Sequence, residues 1–289
     1  MIDHKIILYH ANWSFCSQMV RVALSEKGLV FKKKHIKLCD QYSEGENIDK
    51  DFLAINPLAT VPAIKIDETI ICGSEEIIYQ LNKLDGANDI NLYPKHIDIN
   101  EIRLKASDTT ISEGVKFAST LGTIIPVFSS QLIQHMVKKL PFRSILKILK
   151  NHPRKDRKMI FLAMYFGNPT KKFPNMGIKN YVKEILKLEK TFSDGREYFF
   201  NSFSHVDINL MCVFNRLIDV GLEPTILSRR TPHLSRYWDN LKLRDSYKIG
   251  ILNYYTEKEE KVLHEFHKNN DSSVLDKILK EIDLVEVNE

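Results

Sequence analysis

Residues 5–28, with the sequence KIILYHANWSFCSQMVRVALSEKG, decide the fold class at the start of the chain. The first five residues are mostly apolar and rich in strand formers, which predicts a short β-strand. From Cys16 to Lys27 apolar residues recur at helical spacing, and Gly28 follows as a helix stop. A strand joined to a helix by a short turn predicts that the chain opens with an α/β unit.

The next segments extend this unit. Residues 30–37 show the alternating pattern that predicts a second strand. Residues 62–66 and 69–71 predict two antiparallel strands around the turn Asp67-Glu68. A helix is predicted over 74–84, with Ile77, Ile78 and Leu81 on one face. The order β-α-β followed by β-β-α predicts an α/β thioredoxin-like domain over residues 1–85.

The rest of the chain shows helical spacing. We expect an interdomain linker over 86–97, an all-α C-terminal domain over 98–255 and an acidic helical tail over 256–289. Helices are predicted near 98–120, 127–150, 176–194, 205–220 and 233–243. Three prolines among many charged residues predict a mobile loop over 151–174.

Composition excludes several classes of protein. The chain has 289 residues, of which 43% are hydrophobic and 27% charged, as expected for a globular protein. Its four cysteines are far apart, so neither a disulfide scaffold nor a zinc ribbon is expected, and the absence of ligand spacing among the ten histidines argues against a metal site. With no apolar run of about 18 residues and no signal peptide, a cytoplasmic location is expected.

The net charge of +5 is unevenly distributed. Residues 138–158 contain nine Lys or Arg and one acid, whereas residues 257–289 contain five Lys and ten acids. The basic segment is either a solvated helix surface or an amphipathic helix that contacts an anionic membrane, with apolar Leu140, Phe142, Ile145, Leu146, Ile148 and Leu149 among its lysines. Nucleic-acid binding is not expected, because aromatic residues are not interleaved with the basic ones.

Three short motifs carry candidate chemistry. The turn after the first strand places Ser14 as N-cap of the first helix, where free N–H groups and the helix dipole stabilise a thiolate. A cis bond before Pro62 would turn the Val61 backbone outward to pair with a peptide-like ligand. Ser74 would cap a helix and offer N–H groups to a carboxylate. Each motif alone is also compatible with ordinary capping or a trans proline.

The order and spacing of the motifs resemble the glutathione S-transferase family. The matching residues are Ser14-x-Cys16-Ser17-x-x-Val20-Arg21, Asn56-Pro57-x-x-x-Val61-Pro62, Ser74-x-x-Ile77-Ile78 and the capping motif Ser204-His205-Val206-Asp207. The first of them is similar to the zeta class and to the tetrachlorohydroquinone dehalogenase group. The chain is also similar to the ganglioside-induced differentiation-associated protein 1 group. The match is poor over the basic insertion at 121–175 and ends before the tail.

The resemblance implies glutathione as cosubstrate, conjugated to small apolar electrophiles in detoxification by a cytoplasmic homodimer. It implies that Ser14 donates a hydrogen bond to the glutathione sulfur and that Val61, Pro62 and Ser74 bind the tripeptide. Phe15 and Gly73 also belong to the expected substrate-binding set. Many transferases carry an acidic residue where this chain has Gly73, so one charged contact, worth ~1.5–3 kcal/mol, is expected to be missing.

Two alternatives remain open. Cys16 is the position that forms a mixed disulfide in the dehalogenase group, so reductive dehalogenation or thiol transfer is a second expected activity. The scaffold could instead be a non-catalytic, membrane-associated binding protein. The electrophile is expected between the domains, with His10, Asn12 and Trp13 on one side, although Trp13 favours a packing role.

Overall fold

A computed structural model describes residues 4–111, 114–269 and 272–286. Within these residues, an N-terminal α/β unit is followed by helices alone, which confirms the predicted fold class. The strands are β1 (Ile6–His10), β2 (Lys32–His35), β3 (Ala63–Ile66) and β4 (Thr69–Cys72). The helices of this unit are α1 (Phe15–Glu26), the single turn α2 (Lys50–Leu53) and α3 (Ser74–Asn82).

The four strands form one sheet in the order β2-β1-β3-β4. β1 pairs parallel to β2 and antiparallel to β3, which in turn is antiparallel to β4. The central position of β1 explains its apolar sequence, whereas the lysines of β2 are exposed at the sheet edge, where they oppose edge-to-edge pairing. Because Tyr9 pairs with Ala63, the turn that leaves β1 lies beside the loop that enters β3.

The remaining chain is helical in its described parts. The helices are α4 (Ile99–Thr109), α5 (Leu121–Lys138), α6 (Phe142–Asn151), α7 (Lys155–Phe166), α8 (Phe173–Thr191), α9 (His205–Asp219), α10 (Pro232–Lys242), α11 (Asp245–Gly250), α12 (Glu257–Asn269) and α13 (Ser273–Glu286). Within the described ranges, none of these helices has the length and apolarity needed to cross a membrane.

Helix α9 is buried along almost its whole length and begins at the predicted capping box. The Asp207 carboxylate accepts hydrogen bonds from the Ser204 N–H at 2.8 Å and the Ser204 hydroxyl at 2.7 Å. It also accepts from the Phe199 N–H at 2.8 Å and from the Tyr237 hydroxyl at 2.7 Å. Four donors on one buried carboxylate fix the start of the central helix.

The expected loop over 151–174 is wrong. Residues 155–166 form α7, which buries Phe161 and Met164, and α8 already begins at Phe173. The prolines mark helix boundaries: Pro153 precedes α7, and Pro174 lies in the first turn of α8, where its missing N–H costs no hydrogen bond. The predicted helix over 127–150 is two helices, because Pro141 starts a new one at Phe142.

The helices pack into two cores. The main core joins the sheet to α1, α3, α5, α8 and α9. A smaller core holds α6 and α7 against the segment between β2 and β3, with Ile145, Ile148 and Phe161 facing Cys39 and Ile48. The basic insertion therefore packs against the segment that leads into the loop before β3.

Candidate active site

Ser14 lies in the turn between β1 and α1. Its backbone is extended (φ −66°, ψ 122°), and its hydroxyl oxygen accepts a hydrogen bond from the Ser17 N–H at 3.3 Å. This confirms the predicted N-cap. The Ser14 side chain is partly exposed, so its O–H remains available to a ligand at the positive end of the helix dipole.

Phe15 begins α1, and its side chain is only 7% exposed in the main core. Only its backbone can therefore meet a ligand without a rearrangement of the core. The side chain itself contributes packing that fixes the first turn of the helix, next to Ser14.

Cys16 lies in a cluster with hydroxyl groups from two other elements. Burial raises the pKa of the Cys16 thiol, and hydrogen bonds with the side chains of Ser74 and Thr110 oppose that shift. The Ser74 and Thr110 hydroxyl oxygens are 3.5 Å apart. The thiol form of Cys16 is thus favoured near neutral pH, and a nucleophilic thiolate needs further stabilisation.

The peptide bond between Val61 and Pro62 is cis. Two buried asparagines hold the preceding loop: the Asn56 side-chain amide donates to Thr60 O at 2.7 Å, and that of Asn47 donates to Ala59 O at 2.9 Å. The Val61 backbone N–H and C=O have no partner within the described ranges. They are therefore free to pair with an extended ligand.

Gly73 and Ser74 stand at the N-terminus of α3. The N-cap is Gly73, with φ +86°, and not Ser74, which is the first helical residue; the expected capping role of the Ser74 hydroxyl is wrong. The Ser74 hydroxyl instead faces Thr110. Nothing lies within 4 Å of the point that a Gly73 Cβ would occupy, so the place of a missing acidic side chain is open space.

These segments meet at one end of the sheet. The Gly73 N–H donates to Pro62 O at 3.4 Å, and Cys16 of α1 contacts Ser74 of α3. The structure thus brings together a hydroxyl at a helix N-terminus, a loop with free backbone groups and a second helix N-terminus. Such an arrangement can bind a tripeptide whose sulfur carries negative charge.

Trp13 borders this end of the sheet. Its indole N–H donates to the Asp219 carboxylate at 2.8 Å, and the Arg216 guanidinium lies 3.4 Å from its ring centre. Burial raises the pKa of Asp219 to about 6, and the charge of Arg216 opposes this shift. The expected packing role of Trp13 is confirmed by these contacts.

An apolar cleft opens beside Trp13. Its apolar wall consists of Trp13, Leu132 and Met136 with Val262 and Leu263 of α12, and its polar edge consists of Gln41, Tyr42, Lys258 and Glu259. The cavity volume of about 20 Å³ leaves room for about one water molecule and is too small for an apolar electrophile. As the structure stands, α12 closes the cleft.

Of the other two expected lining residues, His10 is buried away from the cleft, whereas Asn12 contacts Glu259 at its polar edge. His10 is 1% exposed and contacts the Arg21 guanidinium at 3.3 Å and the ring of Tyr254. Asn12 reaches toward α12, with its side-chain amide 3.5 Å from the Glu259 carboxylate. His10 is the last residue of β1, and its side chain lies on the buried side of the sheet. The sequence of the turn alone does not predict this position.

Thr110 and the α12 residues carry no sequence signal that points to this site. Thr110 lies in the polar stretch after α4 and has no motif of its own. Among the described residues, no group of three or more His, Cys, Asp or Glu side chains is arranged to hold a metal ion.

Comparisons with known proteins identify relatives of this chain. The model of the glutathione S-transferase N-terminal domain matches residues 13–84. The chain is 25% identical over 276 residues to glutathione S-transferase TCHQD of Arabidopsis thaliana, covering 86% of this chain and 90% of that protein. It is 37% identical over 149 residues to maleylacetoacetate isomerase of Mus musculus, covering 51% and 67%.

Among solved structures, β-etherase LigF from Sphingobium sp. strain SYK-6 aligns with a TM-score of 0.71 at 20% identity, over 85% of this chain and 98% of that chain. This likeness bears on the fold alone. The matched N-terminal domain and the matched relatives show that the chain belongs to the glutathione S-transferase family.

Proposed function

We propose that the protein is a glutathione transferase that conjugates the glutathione thiolate to small apolar electrophiles. The observation that supports this most is the partly exposed Ser14 hydroxyl at the N-terminus of α1, beside free backbone groups of Val61 and the N-terminus of α3. A hydrogen bond from Ser14 to the sulfur favours thiolate over thiol and supplies a nucleophile near neutral pH.

The remaining ligand contacts follow from the backbone. The Val61 N–H and C=O pair with the cysteinyl part of glutathione, as one strand pairs with another. The N–H groups that begin α3, together with Ser74, hold the γ-glutamyl carboxylate. The open space beside Gly73 leaves the glutathione ammonium without a carboxylate from that position, which predicts weak glutathione affinity.

The apolar cleft beside Trp13 is the electrophile site in this proposal. Its lining of Leu132, Met136, Val262 and Leu263 matches an apolar substrate, and it borders the turn that carries Ser14. Because the cavity holds about 20 Å³, α12 must move before an electrophile enters. The thiolate then attacks the electrophilic carbon, a C–S bond forms, and the leaving group departs with its electron pair.

The contacts of α12 define what holds the cleft closed. Glu259 accepts a hydrogen bond from the Tyr42 hydroxyl at 3.2 Å, and Lys258 donates to Gln41 O at 3.2 Å. At the far end of the helix, Lys139, which follows α5, pairs with Glu265, and Phe266 is buried. Glu259 thus joins α12, the lid of the cleft, to the segment after β2.

A second activity is supported by the position of Cys16. If a glutathionyl intermediate forms on a halogenated substrate, the Cys16 thiolate attacks its sulfur, forms a mixed disulfide and releases the reduced product, which takes up a proton. A second glutathione then reduces the disulfide and gives glutathione disulfide. Hydrogen bonds with the Ser74 and Thr110 hydroxyl groups favour the thiolate needed for this step, against the larger opposing effect of burial.

One pair of variants separates the two activities. Binding to a glutathione-affinity resin and conjugation of chlorodinitrobenzene test the first proposal, and failure to bind at millimolar glutathione contradicts it. Cys16→Ser should retain conjugation and lose thiol transfer. Ser14→Ala should lose most conjugation, and an unchanged rate in Ser14→Ala would contradict the assigned role.

The setting of this activity is part of the proposal. A cytoplasmic homodimer with a role in detoxification fits the family, and exposed Ile70 of β4 with Ile99 and Leu104 of α4 offers apolar surface for a partner copy. Light scattering of the wild type and of Leu104→Glu tests the dimer, since a charge in an apolar contact should dissociate it. A monomeric wild type would contradict this part of the proposal.

A further inference from the structure

Helices α6 and α7 form an antiparallel hairpin whose outer surface is apolar. Phe142, Leu146, Met159 and Phe166, which we call the outer hairpin face, are 49%, 51%, 64% and 69% exposed. The ring of Phe142 lies 6.1 Å from that of Phe166. The apolar surface is therefore continuous from one helix to the other. Single exposed apolar residues are ordinary, but a contiguous group of large ones marks an interaction surface.

The inner side of the hairpin is already occupied. Ile145, Ile148 and Phe161 are buried in the smaller core. The Ser144 hydroxyl donates to Ser43 O at 3.1 Å, and Lys147 pairs with Asp49 at 2.7 Å. These contacts fix which face points outward. Of the apolar residues that suggested a membrane helix, Leu140, Ile145 and Ile148 are buried in the fold, and α7 supplies Met159 and Phe166 in their place.

Positive charge surrounds the outer hairpin face. On α6, Phe142, Arg143, Leu146 and Lys150 fall within about 100° of the helix circumference. Residues 138–158 hold nine Lys or Arg and one acid. Lys139, Lys147 and Arg154 are in ion pairs, whereas Arg143, Lys150 and Lys155 have no carboxylate within 4 Å in the described part of the chain.

Charge decides which partner fits. A second copy of this chain docking through the same face on a two-fold axis would bring one segment of charge +8 against another, which repels. A nucleic acid would neutralise the charge but leave Met159 and Phe166 without an apolar environment. An anionic bilayer meets the requirements of both the charged and the apolar side chains. Its headgroups attract the cations, and its acyl boundary accepts the apolar side chains.

We propose that the α6–α7 hairpin docks the protein on anionic lipid membranes through the outer hairpin face and its flanking arginine and lysines. Phe142, Leu146, Met159 and Phe166 enter the headgroup and acyl boundary, while Arg143, Lys150 and Lys155 pair with lipid phosphates or carboxylates. The contact is peripheral, and it does not depend on the glutathione site.

Co-sedimentation of the full chain with phosphatidylserine–phosphatidylcholine vesicles tests this surface. The protein should bind these vesicles and not pure phosphatidylcholine, and raised salt should weaken binding. Phe142→Ser/Phe166→Ser should lower the partition coefficient at least about tenfold, because each loses a large apolar anchor. A matched control, Val30→Ser/Leu243→Ser, removes two side chains that are 88% and 83% exposed on other elements, and it should bind as the wild type does.

The charge contribution has its own pair of variants. Arg143→Glu/Lys150→Glu should abolish binding at physiological salt, whereas Lys179→Glu/Lys183→Glu makes the same change in net charge on the exposed side of α8 and should reduce binding far less. Circular dichroism melting confirms folding of each variant. The proposal would be overturned by equal binding to neutral vesicles, or by control variants that lose as much binding as the hairpin variants. It would also be overturned by a dimer that dissociates on Phe142→Ser/Phe166→Ser without any vesicle binding.

Discussion

Removal of the Glu259 side chain should open the apolar cleft. In Glu259→Ala, α12 loses the hydrogen bond from the Tyr42 hydroxyl at 3.2 Å and the acceptor for the Thr256 N–H at 3.1 Å. The interaction with the Asn12 side-chain amide, at 3.5 Å, is too long to contribute much. Val262, Leu263 and Phe266 still pack on the main core, so the helix should loosen without leaving the protein.

The size of the effect follows from the hydrogen bond between Tyr42 and Glu259. A hydrogen bond to a charged acceptor contributes ~1.5–3 kcal/mol, and partial exposure of this site favours the lower end. About 1.4 kcal/mol corresponds to a tenfold change in an equilibrium, so the fraction of open molecules should rise about tenfold. If opening precedes electrophile binding, kcat/KM for the electrophile rises by the same factor. The KM for glutathione should stay unchanged.

Steady-state kinetics with electrophiles of increasing size would measure this change. Acrylamide quenching provides a second readout, because of the two tryptophans only Trp13 borders the cleft and Trp238 is fully buried. Glu260→Ala is the matched control, since it removes the same charge from an exposed neighbouring position. Tyr42→Phe removes only the hydroxyl that makes this hydrogen bond and should therefore also give about a tenfold effect. If electrophile kinetics and quenching are identical in Glu259→Ala, Glu260→Ala and the wild type, the proposal that α12 acts as a lid over the cleft is refuted.

Three further predictions concern stability and chemistry. Asp207→Ala should lower the free energy of unfolding by about 3–5 kcal/mol and the melting temperature by about 10 °C, because three buried donors and the partly buried Phe199 N–H lose their acceptor. A fall of only a degree or two in calorimetry would contradict the role of the capping box. Burial lowers the pKa of both His10 and His205 to about 3. As the pH falls from 6.5 to 5.5, these histidines bind protons in the unfolded chain but not in the folded protein. Each histidine should therefore lower the free energy of unfolding by about 1 kcal/mol over this range. Urea unfolding across this range checks the slope, and a flat profile would count against both assignments. Cys16→Ser should abolish mixed-disulfide formation, seen by mass spectrometry after incubation with glutathione disulfide, and modification at an unchanged level in the variant would show that another cysteine reacts.

Local chemistry makes part of the molecule predictable from sequence. The Ser14 cap, the proline before β3 and the Ser204–Asp207 capping box are set by the few residues around each one, so their patterns are sufficient. The α/β order of the first domain follows from its sequence of element types. Helix α7 is not predicted, because prolines are also typical of loops, whereas here they stand at helix boundaries.

The substrate side of the site depends on contacts distant in sequence. Thr110 reaches Ser74 from the end of another helix, and nothing in its neighbours indicates that approach. The cleft needs Leu132 of α5 and Leu263 of α12 on either side of Trp13, a juxtaposition of three elements that periodicity does not predict. His10 is expected in the cleft because it opens the turn, yet its place at the end of β1 buries it instead.

The most direct test is the ionisation of glutathione bound to this protein. Thiolate absorbance in the ultraviolet, titrated against pH, gives the pKa of the bound sulfur in the wild type and in Ser14→Ala. We predict a bound thiol that ionises below the ~8.5 of a free cysteine thiol in the wild type and at or above that value in the variant. Glutathione that binds both proteins with the same unshifted pKa would contradict the assignment of Ser14.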